Sequence, residues 1–430
     1  MSEDGRRLSA TSGGLRVISE PLAAVRSVAL GVWIGVGSRF EREDQSGVSH
    51  FIEHLLFKGT PTYSAERIAQ VFDGLGGEVN AATGRDYTVV YTRVLDDHLE
   101  RAFEVVADML QRPGFFELDQ EREVVLEEIL MYEDDPQDQV HDLLSQAVFP
   151  GQPLGRPVIG TSDVIGSVPE DGVRSYHRDH YTAPNMVVAA AGNVDHDRLV
   201  ALTGSVLGDL GTGPEAHEFE PARPGRVTLA VKAKPTEQYH LCLGGPGLTR
   251  SDPRRHAMSV LDTVLGGSMS SRLFQEVRER RGLAYSVGSY TVGYADTGQV
   301  GVYVGTREDN LETAARVIGH ELRRLADEPV PDEELRRAKD HLKGRLVLGL
   351  ESPSTRMNRI GKAVLTGTEL LSLDEIVERV EAVTADDVQA LAREFWHPDD
   401  LSVAAIGPNE DRVRAAVAGL APGLAEPEAA

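Results

Sequence analysis

The sequence is poor in cysteine and in positive charge, and both deficits exclude classes of protein. The single cysteine among 430 residues, Cys242, excludes an intrachain disulfide framework and any metal or iron–sulfur site built from several cysteines of one chain. Lys and Arg number 44 against 68 Asp and Glu, which gives a net charge of −24. A general nucleic-acid binder needs a basic face, so we expect no nucleic-acid partner. The same charge attracts cationic substrates and repels anionic lipid.

Long hydrophobic runs are also missing. No stretch approaches the roughly 20 apolar residues of a membrane helix. The first residues carry Glu3 and Asp4 and lack the apolar segment of a secretory signal. We therefore predict a cytoplasmic protein without a membrane partner, in which Cys242 is a buried structural thiol.

Length and periodicity predict two domains of mixed class. At about 150 residues per domain, a chain of this length holds two or three domains. Alternating β-branched runs such as residues 27–36 predict strands, and longer periodic runs such as residues 99–110 and 117–132 predict helices. The order strands, helix, helix, strand pair, long helices occurs twice, which indicates duplication. We predict an α+β (α/β) fold of two homologous domains, each a mixed, mostly antiparallel β-sheet packed with long α-helices.

The clearest break in periodicity is GTGPEAHEFEPARPG, where glycine, proline and charge replace the apolar pattern. Such a composition is typical of an interdomain linker. The predicted division is a flexible tail at 1–12, an N-terminal domain at 13–210, a linker at 211–225, a C-terminal domain at 226–420 and a flexible tail at 421–430.

The strongest chemical signal is His50-Phe-Ile-Glu53-His54. On a helix, positions i and i+4 lie about 40° apart around the axis, so both imidazoles reach one cation. The order H-x-x-E-H is that of inverted zincins. Two imidazoles and a carboxylate suit Zn²⁺ with an open position, where a bound water becomes acidic enough to attack a peptide carbonyl. Glu53 would take that water's proton and pass it to the leaving amine. The alternative is two histidines that share a helix by chance.

A third protein ligand is expected on the predicted helix at 117–132. Glu121 and Glu128 are seven residues apart and hence nearly eclipsed after two turns. Glu128 shares its face with apolar residues, where a carboxylate needs a compensating cation or donor. This favours Glu128 as the ligand and Glu121 as its helper. Adjacent Glu127, on a more polar face, is the rival, and an ordinary salt-bridged carboxylate is the alternative for Glu128.

With these segments in place, the sequence resembles the pitrilysin–insulinase family of zinc metallopeptidases. The resemblance is to the short-chain branch, with mitochondrial processing peptidase and bacterial processing-type proteases, and runs from about Leu15 to Gly407. It implies the inverzincin fold, the ligand role for Glu128 and the helper role for Glu121. The matching stretches are HFIEHLLFKGT, GGEVNAATGRDYTVVY, EREVVLEEI, GNVD and SSRLFQEVRERRGLAYSVGSY.

The resemblance also implies substrate-contacting residues in both halves. In the family, an edge strand beside the zinc binds an extended peptide by strand addition. An arginine–tyrosine pair, matched here by Arg278 and Tyr285, helps bind substrate and stabilises the tetrahedral intermediate. By pattern alone, the strand is an ordinary hairpin strand and Arg278 belongs to a surface-charged helix. The implied edge-strand residues are Gly77, Asn80, Ala81 and Ala82.

The predicted function is that of a zinc metalloendopeptidase that hydrolyses unfolded or extended peptides within a chamber. The domain at 13–210 would bind zinc; the domain at 226–420, which lacks H-x-x-E-H, would be a degenerate copy for substrate binding and chamber closure, so one zinc is expected per chain. Long family members carry four such domains, so the resemblance implies a homodimer, or a heterodimer with a paralogue, in which Arg278 and Tyr285 act in trans. The alternative is a non-catalytic scaffold or partner subunit of a processing-peptidase-like complex.

Overall fold

The structure is a computed structural model that describes residues 5–215, 217–421 and 424. Parts of the two predicted tails, at 1–4, 422–423 and 425–430, lie outside the described residues. Among the described residues, no helix is both long enough and apolar enough to cross a bilayer.

The regular elements alternate between short strands and longer helices. The strands are β1 (Arg7–Ala10), β2 (Arg16–Pro21), β3 (Ser27–Ile34), β4 (Glu78–Thr83), β5 (Thr88–Leu95), β6 (Met186–Gly192), β7 (Leu229–Ala233), β8 (Tyr239–Gly247), β9 (Ala284–Gly293), β10 (Gly298–Thr306) and β11 (Ser402–Gly407). The helices are α1 (Val48–Leu56), α2 (Ala65–Leu75), α3 (Leu99–Gln111), α4 (Leu118–Asp134), α5 (Pro136–Val148), α6 (Ser162–Ser167), α7 (Glu170–His180), α8 (His196–Val206), α9 (Arg255–Leu265), α10 (Glu308–Asp327), α11 (Asp332–Gly349), α12 (Pro353–Thr366), α13 (Leu373–Ala382), α14 (Ala385–Phe395) and α15 (Glu410–Ala418). A π-helical segment occupies Phe274–Glu279.

The chain forms two compact units whose boundaries differ from the predicted domains. Each half of the chain contributes one segment, carrying α5 or α12, to the unit that the other half builds. Helical periodicity shows that such a segment has an apolar face, but not which sheet covers that face, so the prediction kept each helix with its own half. The first unit is Met1–Leu130, Arg156–Glu220 and Val347–Ser372; the second is Met131–Gly155, Pro221–Leu346 and Leu373–Ala430.

The first unit is built on a six-stranded sheet of order β1-β2-β6-β3-β5-β4. Only β2 and β6 pair in parallel; the other neighbours are antiparallel. Arg7–Ala10, predicted as part of a flexible tail, is instead β1, in register with β2 from Arg7↔Ser19 to Ala10↔Arg16. The RLSA sequence has no apolar alternation, so backbone pairing at the edge of β2 orders it.

Both faces of this sheet are covered by helices. Side chains of β3 therefore enter two apolar layers in alternation, one on each face. One face meets the main core with α1, α3 and α4, and the other meets α12. Gly31 leaves room for α12: a Cβ there would lie 2.5 Å from the sulfur of Met357. The β3 residues of the main core are Val28, Leu30, Val32 and Ile34; those on the α12 face include Ala29 and Trp33.

The second unit repeats the topology with a five-stranded sheet of order β7-β11-β8-β10-β9, in which only β7 and β11 are parallel. Counted from β2 and from β7, both sheets have the order 1-5-2-4-3. The predicted pair of homologous domains with mixed, mostly antiparallel sheets is confirmed. Helix α5 covers one face of the second sheet, and Cys242 lies buried in that layer, where burial raises the pKa of its thiol.

Two helical glycines test whether α12 packs on the first sheet. A Cβ at Gly361 of α12 would lie 2.2 Å from the indole nitrogen of Trp33, whereas a Cβ at Gly344 of α11 would meet nothing within 4 Å. Alanine is favoured over glycine in a helix by about 1 kcal/mol, so Gly344→Ala should leave the melting temperature unchanged or raise it. Gly361→Ala should lower it by a few degrees, because overpacking costs about 1–3 kcal/mol. Equal behaviour of the two variants in calorimetry would contradict this packing.

Candidate metal centre

Helix α1 carries the H-x-x-E-H segment with its polar side chains on one face. Its apolar side chains enter the main core, which leaves His50, Glu53 and His54 half-buried on the opposite face. The spacing of the apolar residues therefore decides where the two imidazoles point. The buried apolar residues of α1 are Val48, Phe51, Ile52, Leu55 and Leu56.

The start of α1 is held by the buried carboxylate of Glu41. Its two oxygens accept the backbone N–H groups of Gly47 and Ser49, each at 2.7 Å. These are two of the unpaired donors at a helix N-terminus, where a negative charge is stabilising. Burial raises the pKa of Glu41 to about 7, against the lowering effect of these donors. Gly47 has φ 93°, and a Cβ there would lie 2.6 Å from the carbonyl oxygen of Ile159, so glycine is required.

Helix α4 presents Glu128 to α1 and leaves Glu127 exposed. The prediction of an apolar, buried face around Glu128 is wrong, because Val124 and Met131 are 49% and 72% exposed and only Val125 is buried. Glu128 nevertheless lies beside both rings, since its Oε2 atom lies 3.3 Å from Nε2 of His54 and 3.8 Å from Nε2 of His50.

His50, His54 and Glu128 each offer one ligand atom, and these atoms lie within 4.8 Å of one another. No other group of three His, Cys, Asp or Glu side chains gathers in this way among the described residues. Tetrahedral Zn²⁺ with bonds of 2.0–2.2 Å separates its ligand atoms by roughly 3.4 Å, close to the observed separations. The three side chains can therefore hold one such ion.

The polar atoms of the cluster fit a bound cation. Oε2 of Glu128 is buried, and no hydrogen-bond donor within the described ranges satisfies it. An orphaned buried carboxylate oxygen is costly unless a cation neutralises it. Burial, with a smaller effect of the His54 ring, lowers the pKa of His50 to about 4, so its imidazole is neutral at pH 7 and has a lone pair for a metal.

Glu121 and Lys58 fix the ring of His54. Oε1 of Glu121 lies 2.8 Å from Nδ1 of His54, and Nζ of Lys58 lies 2.6 Å from the other oxygen. A carboxylate only accepts, so Nδ1 carries a proton, and in the neutral form of the ring Nε2, on the side of Glu128, has the lone pair. Such a carboxylate–histidine pair orients a metal ligand and increases its basicity. The contact places Glu121 beside His54, and its helper role stays a prediction.

Glu53 is not one of the three clustered residues and lies beside them. Its Oε2 accepts the hydroxyl proton of Thr83 at 2.5 Å, and Thr83 is the last residue of β4. Burial is the largest influence on its carboxyl group and raises the pKa, against the lowering effect of the Thr83 hydrogen bond. A half-buried carboxylate next to a cation site can accept and release a proton.

The predicted edge-strand residues lie on or next to β4, the last strand in the order of the first sheet. Gly77 precedes β4, and a Cβ there would meet the Val94 side chain at 2.5 Å. Asn80 and Ala82 are exposed, and Ala81 is buried. Oδ1 of Asn80 accepts the backbone N–H of Ala81 at 2.9 Å, so this edge donor has an intramolecular partner.

Arg278 and Tyr285 belong to the second unit and contact each other. The Arg278 guanidinium lies over the Tyr285 ring, 4.2 Å from its centroid, and over the Phe274 ring at 4.7 Å. Nη1 of Arg278 also donates to the Tyr285 carbonyl oxygen at 3.3 Å. Tyr285 is 80% exposed, so its phenol is available to a ligand.

Sequence reasoning missed three residues of the centre: Glu41, Lys58 and Thr83. Lys58 and Thr83 lie inside stretches that matched the family, HFIEHLLFKGT and GGEVNAATGRDYTVVY, but no spacing rule connects either to its partner. Glu41 lies before the motif, and its link to α1 depends on a turn that no local pattern predicts.

Two family models match the chain in succession. The model described as insulinase (peptidase family M16) matches residues 16–162, and the model described as peptidase M16 inactive domain matches residues 167–342. The chain belongs to peptidase family M16, which confirms the resemblance. The candidate metal centre lies in the first match, and Arg278 and Tyr285 lie in the second.

Bacterial relatives align over nearly the whole chain. An uncharacterized zinc protease of Streptomyces coelicolor is 46% identical over 417 residues, covering 94% of this chain and 90% of the relative. The uncharacterized zinc protease YmxG of Bacillus subtilis is 43% identical over 403 residues, covering 92% and 97%. These names support a metallopeptidase that uses zinc.

Solved structures share the fold at low sequence identity. A protease from Helicobacter pylori superposes with a TM-score of 0.87 at 22% identity, covering 94% of this chain and 99% of that one. A chain of complex III from Candida albicans gives a TM-score of 0.81 at 21% identity, covering 96% and 99%. The two structures support the architecture.

Zinc affinity should rank the carboxylates of α4. Glu128→Gln removes a ligand and should weaken zinc binding most, and Glu121→Gln should weaken it by about 10–100-fold, because its role is to orient His54. Exposed Glu127→Gln is the matched control and should bind as the wild type does. Competition with a chromogenic chelator measures all four proteins. Loss of zinc in Glu127→Gln with retention in Glu128→Gln would mean that the other carboxylate is the ligand.

Proposed function

We propose that this protein is a zinc-dependent metalloendopeptidase that hydrolyses unfolded or extended peptides, with one zinc ion per chain. The observation that carries the proposal is the cluster of His50, His54 and Glu128, with Glu53 beside it. Zinc held there would supply a Lewis acid that lowers the pKa of a bound water to about 7 and polarises the scissile carbonyl.

The side chains of the site would bind the metal, orient its ligands and transfer the proton. His50, His54 and Glu128 would hold the ion, and Glu121 would keep the His54 ring in the tautomer that leaves Nε2 free. Glu53 would accept the proton of the attacking water and deliver it to the leaving nitrogen, as general base and then general acid. Its half-buried position limits the water around its carboxylate, so it holds the proton between these two steps in a poorly solvated place.

Substrate recognition would occur at β4. The strand ends the sheet order, and a peptide that adds beside it needs a backbone that is not already paired. Side-chain specificity is secondary in such binding, because main-chain hydrogen bonds provide most of the contacts. Extended peptides are therefore the expected substrate class, and the net charge of −24 favours cationic ones. The enclosing chamber and the cytoplasmic location stay predictions.

A non-catalytic role is the second candidate. One solved structure of similar fold is a chain of complex III, and the model that matches the second half is described as an inactive domain. These descriptions favour a structural subunit. The presence of all three ligand types and of Glu53 in one place favours the enzyme, because a scaffold has no need of them. Zinc content with a cleavage assay separates the two roles.

Glu53→Gln should retain zinc and lose cleavage. Glutamine has nearly the same shape as glutamate but does not accept a proton, so kcat should fall at least about 100-fold. Metal analysis and a fluorogenic unstructured peptide measure the two properties in the same sample. Glu127→Gln, the same change on the exposed side of α4, should leave both unaltered. Full activity of Glu53→Gln with stoichiometric zinc would remove Glu53 as the base.

The partner of the catalytic unit would be a second chain. Arg278 and Tyr285 are donors suited to a developing oxyanion, which must lie within about 3 Å of them. In a homodimer, or a heterodimer with a paralogue, these residues would come from the other chain, as the four-domain relatives imply.

Subunit mixing should therefore restore activity. Glu53→Gln protein lacks the base, and the double variant Arg278→Ala/Tyr285→Phe lacks the donors. A mixed dimer has one site with both defects and one with neither, so its activity should recover toward half that of the wild-type dimer. Differently tagged subunits, co-purified after mixing, show that exchange has occurred. Co-purification without recovered cleavage would mean that the pair acts within its own chain or has no catalytic role.

A further inference from the structure

Thr83 connects the two parts of the first unit that the proposed reaction uses. It is the last residue of β4, and its hydroxyl donates to Oε2 of Glu53 at 2.5 Å. The backbone N–H of Thr83 faces the same carboxyl group, whose pKa it lowers. One residue of the strand therefore presents its hydroxyl and its backbone N–H to one side chain of α1, and the hydroxyl is hydrogen-bonded to it.

The backbone of β4 shows which edge Glu53 occupies. The N–H of Gly84, just after the strand, donates to the Tyr87 carbonyl oxygen at 2.9 Å, so the backbone N–H of residue 84 points toward β5. Backbone N–H groups alternate in direction along an antiparallel strand, so those of Ala81 and Thr83 point away from β5, toward the edge where the described sheet ends. The carboxylate of Glu53 thus lies at that edge, roughly 7 Å along the strand from the Ala81 N–H.

We propose that Thr83 is a positioning residue for Glu53 and aligns the base with the edge strand that binds the peptide. The proposal rests on the proposed function, in which Glu53 is the base and β4 binds the substrate. A hydroxyl donor held on a paired strand restricts the torsions of the glutamate side chain. A carboxylate has about four lone-pair sites, so positions remain for the proton of the attacking water. A misplacement of about 1 Å lowers an enzymatic rate on the order of 100-fold.

The first test compares two substitutions in the full-length, zinc-loaded protein. Thr83→Val has nearly the same shape but no hydroxyl, and Thr83→Ser keeps the hydroxyl. Thr83→Val should lower kcat roughly 10–100-fold with KM and zinc content little changed, and Thr83→Ser should stay within a few-fold of the wild type.

Three outcomes would overturn the positioning role. They are a Thr83→Val kcat within two-fold of the wild type, an equal loss in Thr83→Val and Thr83→Ser, or a change confined to KM. The second would show that the hydroxyl alone does not set the rate, because serine keeps it, and the third would assign the effect to substrate binding alone.

The second test measures the contact without cleavage. Thr83→Val should lower the melting temperature by a few degrees in the presence of Glu53 and should have no effect in a Glu53→Ala background, because the acceptor is gone. The same lowering in both backgrounds would overturn the proposal.

The melting-temperature test also separates a failure of the Thr83 role from a failure of the proposed function. Coupling between the residues in a zinc-bound wild type that cleaves no peptide would reject the proposed function, and with it the catalytic role of Thr83. Cleavage by the wild type without coupling would reject the role of Thr83 and leave the proposed function intact.

Discussion

The meeting of the Glu128 carboxylate with two imidazoles of α1 is the interaction on which the candidate site depends. Oε2 of Glu128 lies 3.3 Å from His54 and 3.8 Å from His50, is buried, and has no hydrogen-bond donor among the described residues. A second carboxylate, Glu121, supports one of these rings and is balanced by Lys58. An arrangement of two imidazoles and a carboxylate around one point is stable chiefly with a cation present. Much of the first unit serves to bring α1 and α4 to that point.

Contacts with the rest of the first unit set the rotation of α1 about its axis, the residue at which it begins and its position relative to β4. The main core takes its apolar face, so its rotation about the helix axis is set. Glu41 binds the N–H groups of Gly47 and Ser49, so the position where the helix begins is set. Thr83 binds Glu53, which joins the helix to β4. Precision of this kind comes from supporting contacts as much as from the ligands themselves.

The two units reuse one topology for different purposes. Both sheets have the same strand order with a single parallel pair at corresponding positions, and each has one face covered by a helix from the other half of the chain. In the first unit the helix that follows β3 carries H-x-x-E-H. The second half contains no such motif, and within the described residues no metal-ligating cluster forms there. Duplication thus retained the fold of the second unit and not the cluster.

The sequence was sufficient for the parts of the structure that local periodicity and spacing control. Helix α1, strand β3 and the reach of both imidazoles follow from patterns of 3.6 and 2 residues. Strand β11 was missed, although its residues SVAAIG repeat MVVAAAG of β6, the corresponding strand of the first sheet. The exchange of α5 and α12 was missed because an apolar helix face does not specify its sheet.

For the candidate site, too, the sequence predicted the spacing of residues along one helix but not the contacts between separate elements. The spacing of seven residues brought Glu121 and Glu128 to the correct helix, but the apolar face assumed around Glu128 is largely exposed. Glu41, Lys58 and Thr83 act through contacts between separate elements, and one chain read alone contains no signal for such pairs. The choice of Glu128 over Glu127 needed the distances to the two histidines.

X-ray absorption at the zinc edge of the purified full-length protein tests whether His50, His54 and Glu128 bind the metal. We expect one zinc per chain with light nitrogen and oxygen neighbours at about 2.0–2.2 Å, the scattering pattern of two imidazoles, and four-fold coordination. A sulfur neighbour at about 2.3 Å, or a zinc ion without imidazole scattering, would contradict a centre made of His50, His54 and Glu128.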